Sequence, residues 1–258
     1  MLIISERVNG LFKRVGRAID GRDAAALGAI VEAQLKAGAN ALDINTGPGR
    51  DDAIDAMRWM VRTVQDITDV PLSIDTPKAE VMKAGMEVCK NPIIVNSITA
   101  EASRMSALFP IAAEHNAEVI CLTLSEKGVP NDPESRAELA MLLMATAMEH
   151  GIDQTHLYFD PLILPINCAQ DQPAAVMKAL DMFRSLSNPP PKSVVGLSNI
   201  SNGCQERPLI NRTMLAMLAG HGLTAAILDP TDEEMMKTVK TCEILMNERL
   251  YADSYLKG

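Results

Sequence analysis

The feature that most constrains the fold of this 258-residue chain is an eightfold alternation of short apolar runs and helix-like segments. Each run is rich in β-branched and aliphatic residues, and the segment after it carries apolar residues at helical spacing. Strict alternation of strands and helices predicts a parallel sheet. The eight predicted strands cover residues 2–7, 41–46, 71–76, 92–97, 118–124, 157–163, 193–200 and 225–230.

Eight strand-helix units in a chain of this length favour a closed (β/α)₈ TIM barrel over an open doubly wound sheet. The open sheet is the alternative, weakened because the chain has neither G-x-G-x-x-G nor G-x-x-x-x-G-K-S/T. No long Gly/Ser linker or charged block divides the chain, so we expect one domain over residues 1–258. Asp132 before Pro133 predicts one helix start, and Thr231 with Glu234 predicts a capping box at another.

Charge and composition argue against several classes of protein. A net charge of −9 without a Lys/Arg cluster argues against nucleic-acid binding. No apolar run reaches the roughly 18–20 residues of a membrane helix, and Glu6 and Arg7 interrupt any signal-peptide core, so we expect a cytoplasmic protein. The five scattered cysteines and four histidines lack C-x-x-C and H-x-x-x-H spacing, which disfavours disulfides and a metal site.

Polar residues recur where the predicted strands end. In a barrel they converge on one mouth, because the carboxyl ends of all strands meet there. The alternative for any one of them is a turn or a helix cap, which we prefer for Asp229 before Pro230 and Thr231. For the group, a ligand that supplies hydrogen-bond donors is the better explanation. The residues are Asp43, Asn45, Asp75, Asn96, Asp160, Asn199 and Asp229.

The chemistry of these side chains suits a flat nitrogenous ring. A carboxylate accepts two hydrogen bonds from an N–H/NH₂ edge such as that of a 2-aminopyrimidinone, and a neighbouring amide both donates and accepts. Bicyclic pterins have such an edge. The chain has only four Phe, three Tyr and one Trp, so polar contacts and aliphatic walls rather than an aromatic cage would hold the ring.

A family resemblance becomes specific at six stretches: "LIISERVNG", "ALDINTGPG", "LSIDT", "IIVNSITAE", "LYFDPLILP" and "VVGLSNISNGCQERPLINR". Together they resemble the pterin-binding methyltransferases that act on methyltetrahydrofolate and a corrinoid protein, in particular those that serve a corrinoid iron-sulfur protein. The likeness runs along essentially the whole chain. The last stretch is its most specific element, whereas "IDT" alone is weak.

The resemblance implies roles for individual residues. Asp75, Asn96 and Asp160 would hold the pterin ring, with Asp160 on its amino-pyrimidine edge. Asn199 would face N5 as the catalytic hydrogen-bond donor. The remaining implied residues are Asp43 and Ser198 in the supporting network, Asn202 and Arg207 towards the methyl group and the corrin, and Arg184 towards the glutamate tail of folate.

Alternatives remain for some of these roles. Arg184 could equally be an exposed helix arginine, and Arg207 could equally brace its loop. The family often has Gly where Ser5 stands and Gln where Asn202 stands, and the second departure concerns the residue implied to face the corrin.

The resemblance also implies substrates and partners. Tetrahydrofolate or 5-methyltetrahydrofolate would be a substrate, and cobalamin would arrive on a corrinoid protein that docks transiently at the barrel mouth, because the chain has no D-x-H-x-x-G cobalamin motif. Members are generally homodimers. The direction of transfer is not readable from sequence, since one site stabilises the same transition state both ways.

Two other functions compete with methyl transfer. A dihydropteroate synthase would share the barrel and the pterin contacts, but it should carry a Lys- and Arg-rich anion site near the late strands, where only Arg207 and Arg212 occur. A non-catalytic folate-binding protein would explain the pterin residues but not a donor at Asn199.

Overall fold

Eight parallel strands close into a barrel in chain order in the computed structural model, which describes residues 1–257. The closed ring confirms the TIM barrel and excludes the open sheet. The strands are β1 (Leu2–Asn9), β2 (Ala41–Asn45), β3 (Leu72–Asp75), β4 (Ile93–Thr99), β5 (Glu118–Leu122), β6 (Leu157–Asp160), β7 (Lys192–Gly196) and β8 (Ala225–Leu228).

Helices cover the outside of the barrel and bury the outward faces of the strands in one large apolar layer. No helix in the described part of the chain is long and apolar enough to cross a membrane. The helices are α1 (Lys13–Gly21), α2 (Ala24–Lys36), α3 (Ala53–Gln65), α4 (Ala79–Val88), α5 (Ala102–Glu114), α6 (Pro133–Glu149), α7 (Gln172–Phe183), α8 (Arg207–Gly220) and α9 (Glu233–Leu245).

Helix starts agree with the sequence at α6 and differ at α9. Asp132 caps α6 by accepting a 2.7 Å hydrogen bond from the Ser135 amide, as predicted. The predicted capping box at Thr231 is wrong, because Asp232 caps α9 through the Met235 amide. Thr231 instead donates to Asp229 from both its amide and its hydroxyl, which makes a turn at the end of β8.

The barrel interior is apolar in its middle layer and polar at the carboxyl ends of the strands. Ala41, Ile94 and Tyr158 belong to the inner apolar cluster. Because side chains alternate along a strand, the residues two positions further also point inward. Those residues are Asp43, Asn96 and Asp160, so strand geometry places three of the predicted polar residues inside the mouth.

The opposite end of the barrel is closed by a polar cluster. Lys192 forms an ion pair with Glu118, and the Tyr158 hydroxyl hydrogen-bonds Glu118 at 3.1 Å and Lys192 at 3.3 Å. Burial and the adjacent Glu118 carboxylate raise the pKa of Tyr158, which keeps its hydroxyl protonated. These bonds tie β5, β6 and β7 together beneath the apolar layer, at the end of the barrel away from the polar mouth.

Candidate active site

Asp43 is the centre of the hydrogen-bond network in the mouth. It is only 3% exposed, and its Oδ1 accepts bonds from Ser73 Oγ at 2.6 Å and from Asn96 Nδ2 at 2.9 Å. Burial, and then the negative charge of Asp75, raise the pKa of Asp43 well above its usual range. Both effects favour a proton on Asp43.

Asp75 is the carboxyl group that accepts a hydrogen bond through that proton. Its side chain hydrogen-bonds directly with Asp43, and its Oδ2 accepts a 2.7 Å bond from Asn45 Nδ2. Burial raises the pKa of Asp75, while the bonds from Asn45 and Asp43 oppose that rise. Two carboxyl groups in contact cannot both be ionised cheaply. The arrangement fits a single shared proton carried by Asp43 and donated to an ionised Asp75.

Asp160 lies across the mouth at the end of β6. It is 6% exposed and accepts bonds from the backbone amides of Leu162, at 2.7 Å, and Gly196. Leu162 reaches this position with φ of 63°, the left-handed region that non-glycine residues seldom adopt. Burial outweighs these bonds and the positive charge of Arg136, and it raises the pKa of Asp160 to about 7.

Arg136 was not anticipated from the sequence. It lies in the first turn of α6, is fully buried, and donates from Nη2 to Gln172 Oε1 at 2.6 Å. Its Nε and Nη1 have no hydrogen-bond partner among the described residues. It is the one positive charge among the groups that set the pKa of Asp160. An arginine shortly after a helix cap is typical of a solvated surface, so no sequence pattern singled it out.

Ser198 and Asn199 extend the mouth beyond β7. The strand stops at Gly196, and residues Leu197–Ser201 form a 3₁₀ turn. A Cβ at Gly196 would lie 3.1 Å from Asn199 Nδ2, so the absence of a side chain lets the amide fold over the strand end. Since the Gly196 amide also bonds Asp160, this one backbone position brings Asn199 and Asp160 together.

The loop after Asn199 is braced by Arg207. This exposed arginine donates from Nε to Ser201 Oγ at 3.1 Å, and from Nη2 to the Ser198 carbonyl oxygen at 3.3 Å and Asn202 Oδ1 at 3.2 Å. Arg207 therefore does brace its loop. It also lines a cavity of about 470 Å³ together with Asn199 and Asn202. Bracing the loop and lining the mouth are therefore compatible in this residue.

Glu6 is the second charged residue that the sequence did not point to. Its Oε1 accepts a 2.8 Å bond from Ser198 Oγ, and it lines the same cavity as Asn199. Burial raises the pKa of Glu6. The sequence signal that could have identified Glu6 is the pair of charged residues, Glu6 and Arg7, within an otherwise apolar predicted strand.

Arg184 does not join the site. It follows the last residue of α7, and its side chain packs on Gly222, where an added Cβ would lie 2.7 Å from Arg184 Cδ. Gly222 is in the loop between α8 and β8, and loops that precede strands lie at the amino ends of the barrel. The prediction that Arg184 contacts the glutamate tail of a folate bound in the mouth is therefore wrong.

The other predicted residues are assembled at one end of the barrel. They come from β2, β3, β4, β6 and the segment after β7. Hydrogen bonds join Asp43 to Asp75 and Asn96, and Asp160 accepts from the Gly196 amide beside Asn199. The cavity wall includes Ser198, Asn199, Asn202 and Arg207. Within the described residues no group of three or more His, Cys, Asp or Glu side chains is arranged to hold a metal ion. The set offers carboxylate, amide and hydroxyl groups to a neutral polar ligand.

Comparison with known proteins decides the family. Residues 14–229 match the family of pterin binding enzymes. The chain belongs to this family. Its match spans every strand from β2 to β8, and it includes each of the carboxylates at the mouth of this pterin-binding enzyme except Glu6.

The curated relatives of this pterin-binding enzyme include one protein of similar length and two that are much longer. A methylcorrinoid:tetrahydrofolate methyltransferase of Eubacterium limosum is 30% identical over 264 aligned positions, which cover 100% of this chain and 97% of that protein. Methionine synthases of Mycobacterium leprae and Mycobacterium tuberculosis are 28% and 27% identical over 88% of this chain. That match covers only 20% of each synthase.

Solved structures share the barrel at lower sequence identity. A Yersinia pestis DHPS with a pterine-sulfa conjugate matches with a TM-score of 0.70 and 18% identity, over 96% of this chain and 94% of that one. A 7,8-dihydropteroate synthase of Vibrio fischeri matches with a TM-score of 0.69, also at 18% identity and with the same coverage. These similarities show a common fold.

Proposed function

We propose that this enzyme moves a methyl group between N5 of (methyl)tetrahydrofolate and the cobalt of a corrinoid that another protein carries. The supporting observation is the gathering of Asp75, Asn96 and Asp160 in one mouth, in a chain similar along its whole length to a methylcorrinoid:tetrahydrofolate methyltransferase. We treat residues 1–258 as a single pterin-binding domain. We further propose that the enzyme is a homodimer and that it is cytoplasmic.

Asp160, Asp75 and Asn96 would recognise the pterin ring. An ionised Asp160 accepts two bonds from the N–H/NH₂ edge, as carboxylates do in bidentate pairs. Asn96 commits its NH₂ to Asp43, which leaves its carbonyl oxygen to accept from a ring N–H. Asp75, whose carboxylate form is favoured by the hydrogen bonds from Asn45 and Asp43, is a second acceptor. Asp43 and Ser198 would then hold these groups in place rather than touch the ring.

Asn199 would stabilise the transition state at N5. When the N5–methyl bond breaks, negative charge builds on the nitrogen, and an amide donor hydrogen-bonds more strongly as that charge grows. An amide cannot itself give up a proton at neutral pH. Asn199 is exposed at the mouth and lies over Gly196 beside Asp160, which is where a donor to the far side of a bound ring is needed.

Arg207 and Asn202 would face the corrin. Both are exposed on the loop beyond Asn199, so a docking protein can reach them. The chain has no D-x-H-x-x-G motif, which agrees with a corrinoid carried by a partner. We therefore expect the corrinoid protein to dock transiently over the carboxyl ends of the strands. The same site serves either direction of transfer.

A spectroscopic assay tests the proposal. The protein is mixed with 5-methyltetrahydrofolate and cob(I)alamin, and the corrin spectrum is followed. Formation of methylcobalamin supports methyl transfer. Release of dihydropteroate from a pterin pyrophosphate and 4-aminobenzoate would instead indicate a synthase, and folate binding without either reaction would indicate a binding protein.

A further inference from the structure

Glu6 lines the cavity at the mouth, and it is not among the residues that we propose recognise the pterin ring. Ile4 belongs to the inner apolar cluster of the barrel, and Glu6 lies two residues further along β1 towards the mouth. The register of β1 against β2 shifts between Ser5 and Val8, which places Glu6 and Arg7 in an irregularity of the strand. Such irregularities re-aim side chains next to active sites.

The contacts of Glu6 connect it to the residue that faces N5. Ser198 Oγ donates to Glu6 Oε1 at 2.8 Å, and Ser198 is the chain neighbour of Asn199. Glu6 and Asn199 also line the same cavity of about 470 Å³, which is large enough to hold water beside a bound ring. Because Ser198 occupies Oε1, the other carboxyl oxygen is the one free to carry a proton into this cavity.

The charges around Glu6 come from four elements. Arg7 on β1 and Arg207 on α8 favour its carboxylate, as does the bond from Ser198 after β7, whereas Asp229 after β8 favours its acid form. Burial is the largest effect, and it raises the pKa of Glu6 above the ordinary value of 4.5. A glutamate shifted in this direction keeps its proton to a higher pH than a solvated glutamate does.

We propose that Glu6 supplies the proton that N5 of tetrahydrofolate gains when its methyl group leaves, and takes that proton back in the reverse reaction. This inference rests on the proposed methyl transfer. Glu6 and Asn199 line one cavity, so with N5 at Asn199 the proton would pass through water in that cavity. Asn199 stabilises the developing charge, and Glu6 neutralises it.

The step balances in both directions. The N5–methyl bond breaks with its electron pair left on N5, Co(I) supplies the pair for the new cobalt–methyl bond, and the Glu6 acid loses a proton that ends on N5. The products are methyl-Co(III), tetrahydrofolate with N5–H, and the Glu6 carboxylate. In reverse the carboxylate accepts the N5 proton as N5 takes the methyl group from cobalt.

Three variants test this role. Glu6→Gln keeps the shape and the bond from Ser198 but cannot exchange a proton. Glu206→Gln removes the same charge from an exposed residue just before α8 and is the matched control. Glu6→Asp keeps a titratable group one methylene further away. Single-turnover transfer with free cobalamin and the affinity for tetrahydrofolate are measured for each, over about pH 5–9.

Glu6→Gln should transfer methyl groups about 100-fold more slowly, the usual size of a lost acid–base group, while its affinity for tetrahydrofolate changes less than about threefold. Glu206→Gln should behave as the parent does, and Glu6→Asp should recover part of the rate. The direction of the pH dependence should differ between the two directions of transfer. Transfer to cobalt needs the acid and should fall as pH rises through the Glu6 pKa, whereas transfer to tetrahydrofolate should fall as pH decreases through it.

Both pH limbs should be absent in Glu6→Gln, and one high-pKa signal should disappear from the carboxyl-carbon NMR titration of glutamate-labelled protein. An unchanged rate and profile in a folded Glu6→Gln that binds folate overturns the inference but leaves methyl transfer standing. Loss of folate affinity in step with the rate would show a structural role and also overturns it. If the parent protein transfers no methyl group, the proposed function itself fails.

Discussion

Asn96 Nδ2 donates a 2.9 Å hydrogen bond to Asp43 Oδ1, an oxygen that already accepts a 2.6 Å bond from Ser73. This relationship fixes which way the Asn96 amide points. It also means that Oδ2 is the oxygen of Asp43 that is left to carry a proton. Burial and the negative charge of Asp75 favour that proton. The chemical character of the pocket therefore depends on a residue that we expect never to touch the ligand.

The protonated state of Asp43 can be tested by amide substitution. An amide in its place would accept from Ser73 and Asn96 through its oxygen and donate to Asp75 through its nitrogen, so Asp43→Asn should keep tetrahydrofolate affinity within about threefold. Asp75→Asn removes an ionised acceptor and should weaken binding by at least about tenfold, since bonds to charged groups contribute about 1.5–3 kcal/mol. Calorimetry measures both, and equal losses would contradict the proton assignment.

Removal of the Asn199 amide should affect the rate and not the binding. Asn199→Ala is expected to slow single-turnover methyl transfer by about 10²–10³, because one donor to a developing charge is lost. Tetrahydrofolate affinity should fall less than about threefold, since the bond strengthens only in the transition state. Stopped-flow spectroscopy and calorimetry provide the two numbers. A parallel loss of affinity would show that Asn199 acts in the ground state.

Folate binding should depend on pH through Asp160. The raised pKa, about 7, means that the empty site is largely protonated at pH 6 and largely ionised at pH 8. If the carboxylate binds the amino-pyrimidine edge, affinity should be about tenfold weaker at pH 6 than at pH 8, with proton release on binding at the lower pH. Calorimetry in buffers of different ionisation enthalpy measures that release.

Asp160→Asn is the control for this pH dependence. It should lose the dependence together with most of the affinity. It should also be more stable than the parent at pH 8, by up to about 4 kcal/mol, because the buried charge is gone. The folded parent binds its proton more tightly than the unfolded chain does, so its stability falls as pH rises from about 4 to 7 and the advantage of the variant grows over that range.

Arg184 and Arg207 form a matched pair at the two ends of the barrel. Arg184→Ala should leave tetrahydrofolate affinity and methyl transfer unchanged, since its side chain packs on Gly222 at the amino end. Arg207→Ala removes three hydrogen bonds in the Ser198–Asn202 segment and should slow transfer by roughly tenfold or more. Steady-state kinetics with a corrinoid protein distinguishes them, and a folate defect in Arg184→Ala would contradict the placement.

The extent of the strands shows where sequence patterns fail. The apolar run at 193–200 predicts one strand, but β7 ends at Gly196 and the chain turns into Leu197–Ser201. Apolar residues are buried on both sides of that boundary, Val194 and Val195 before it and Leu197 and Ile200 after it, so the apolar pattern continues while the backbone changes. The turn matters because it carries Ser198 and Asn199 over the mouth.

The sequence by itself determined the eight-unit barrel and the inward carboxylates and amides of its strands. Both follow from local rules: the alternation of side chains along a strand and the convergence of parallel strand ends. The tertiary structure alone decided that Arg136 and Glu6 belong to the site and that Arg184 does not. A charged residue can serve the ligand, a neighbouring element or the solvent, and only contacts between distant segments select among them. Those contacts also set the pKa values on which the proposed chemistry depends.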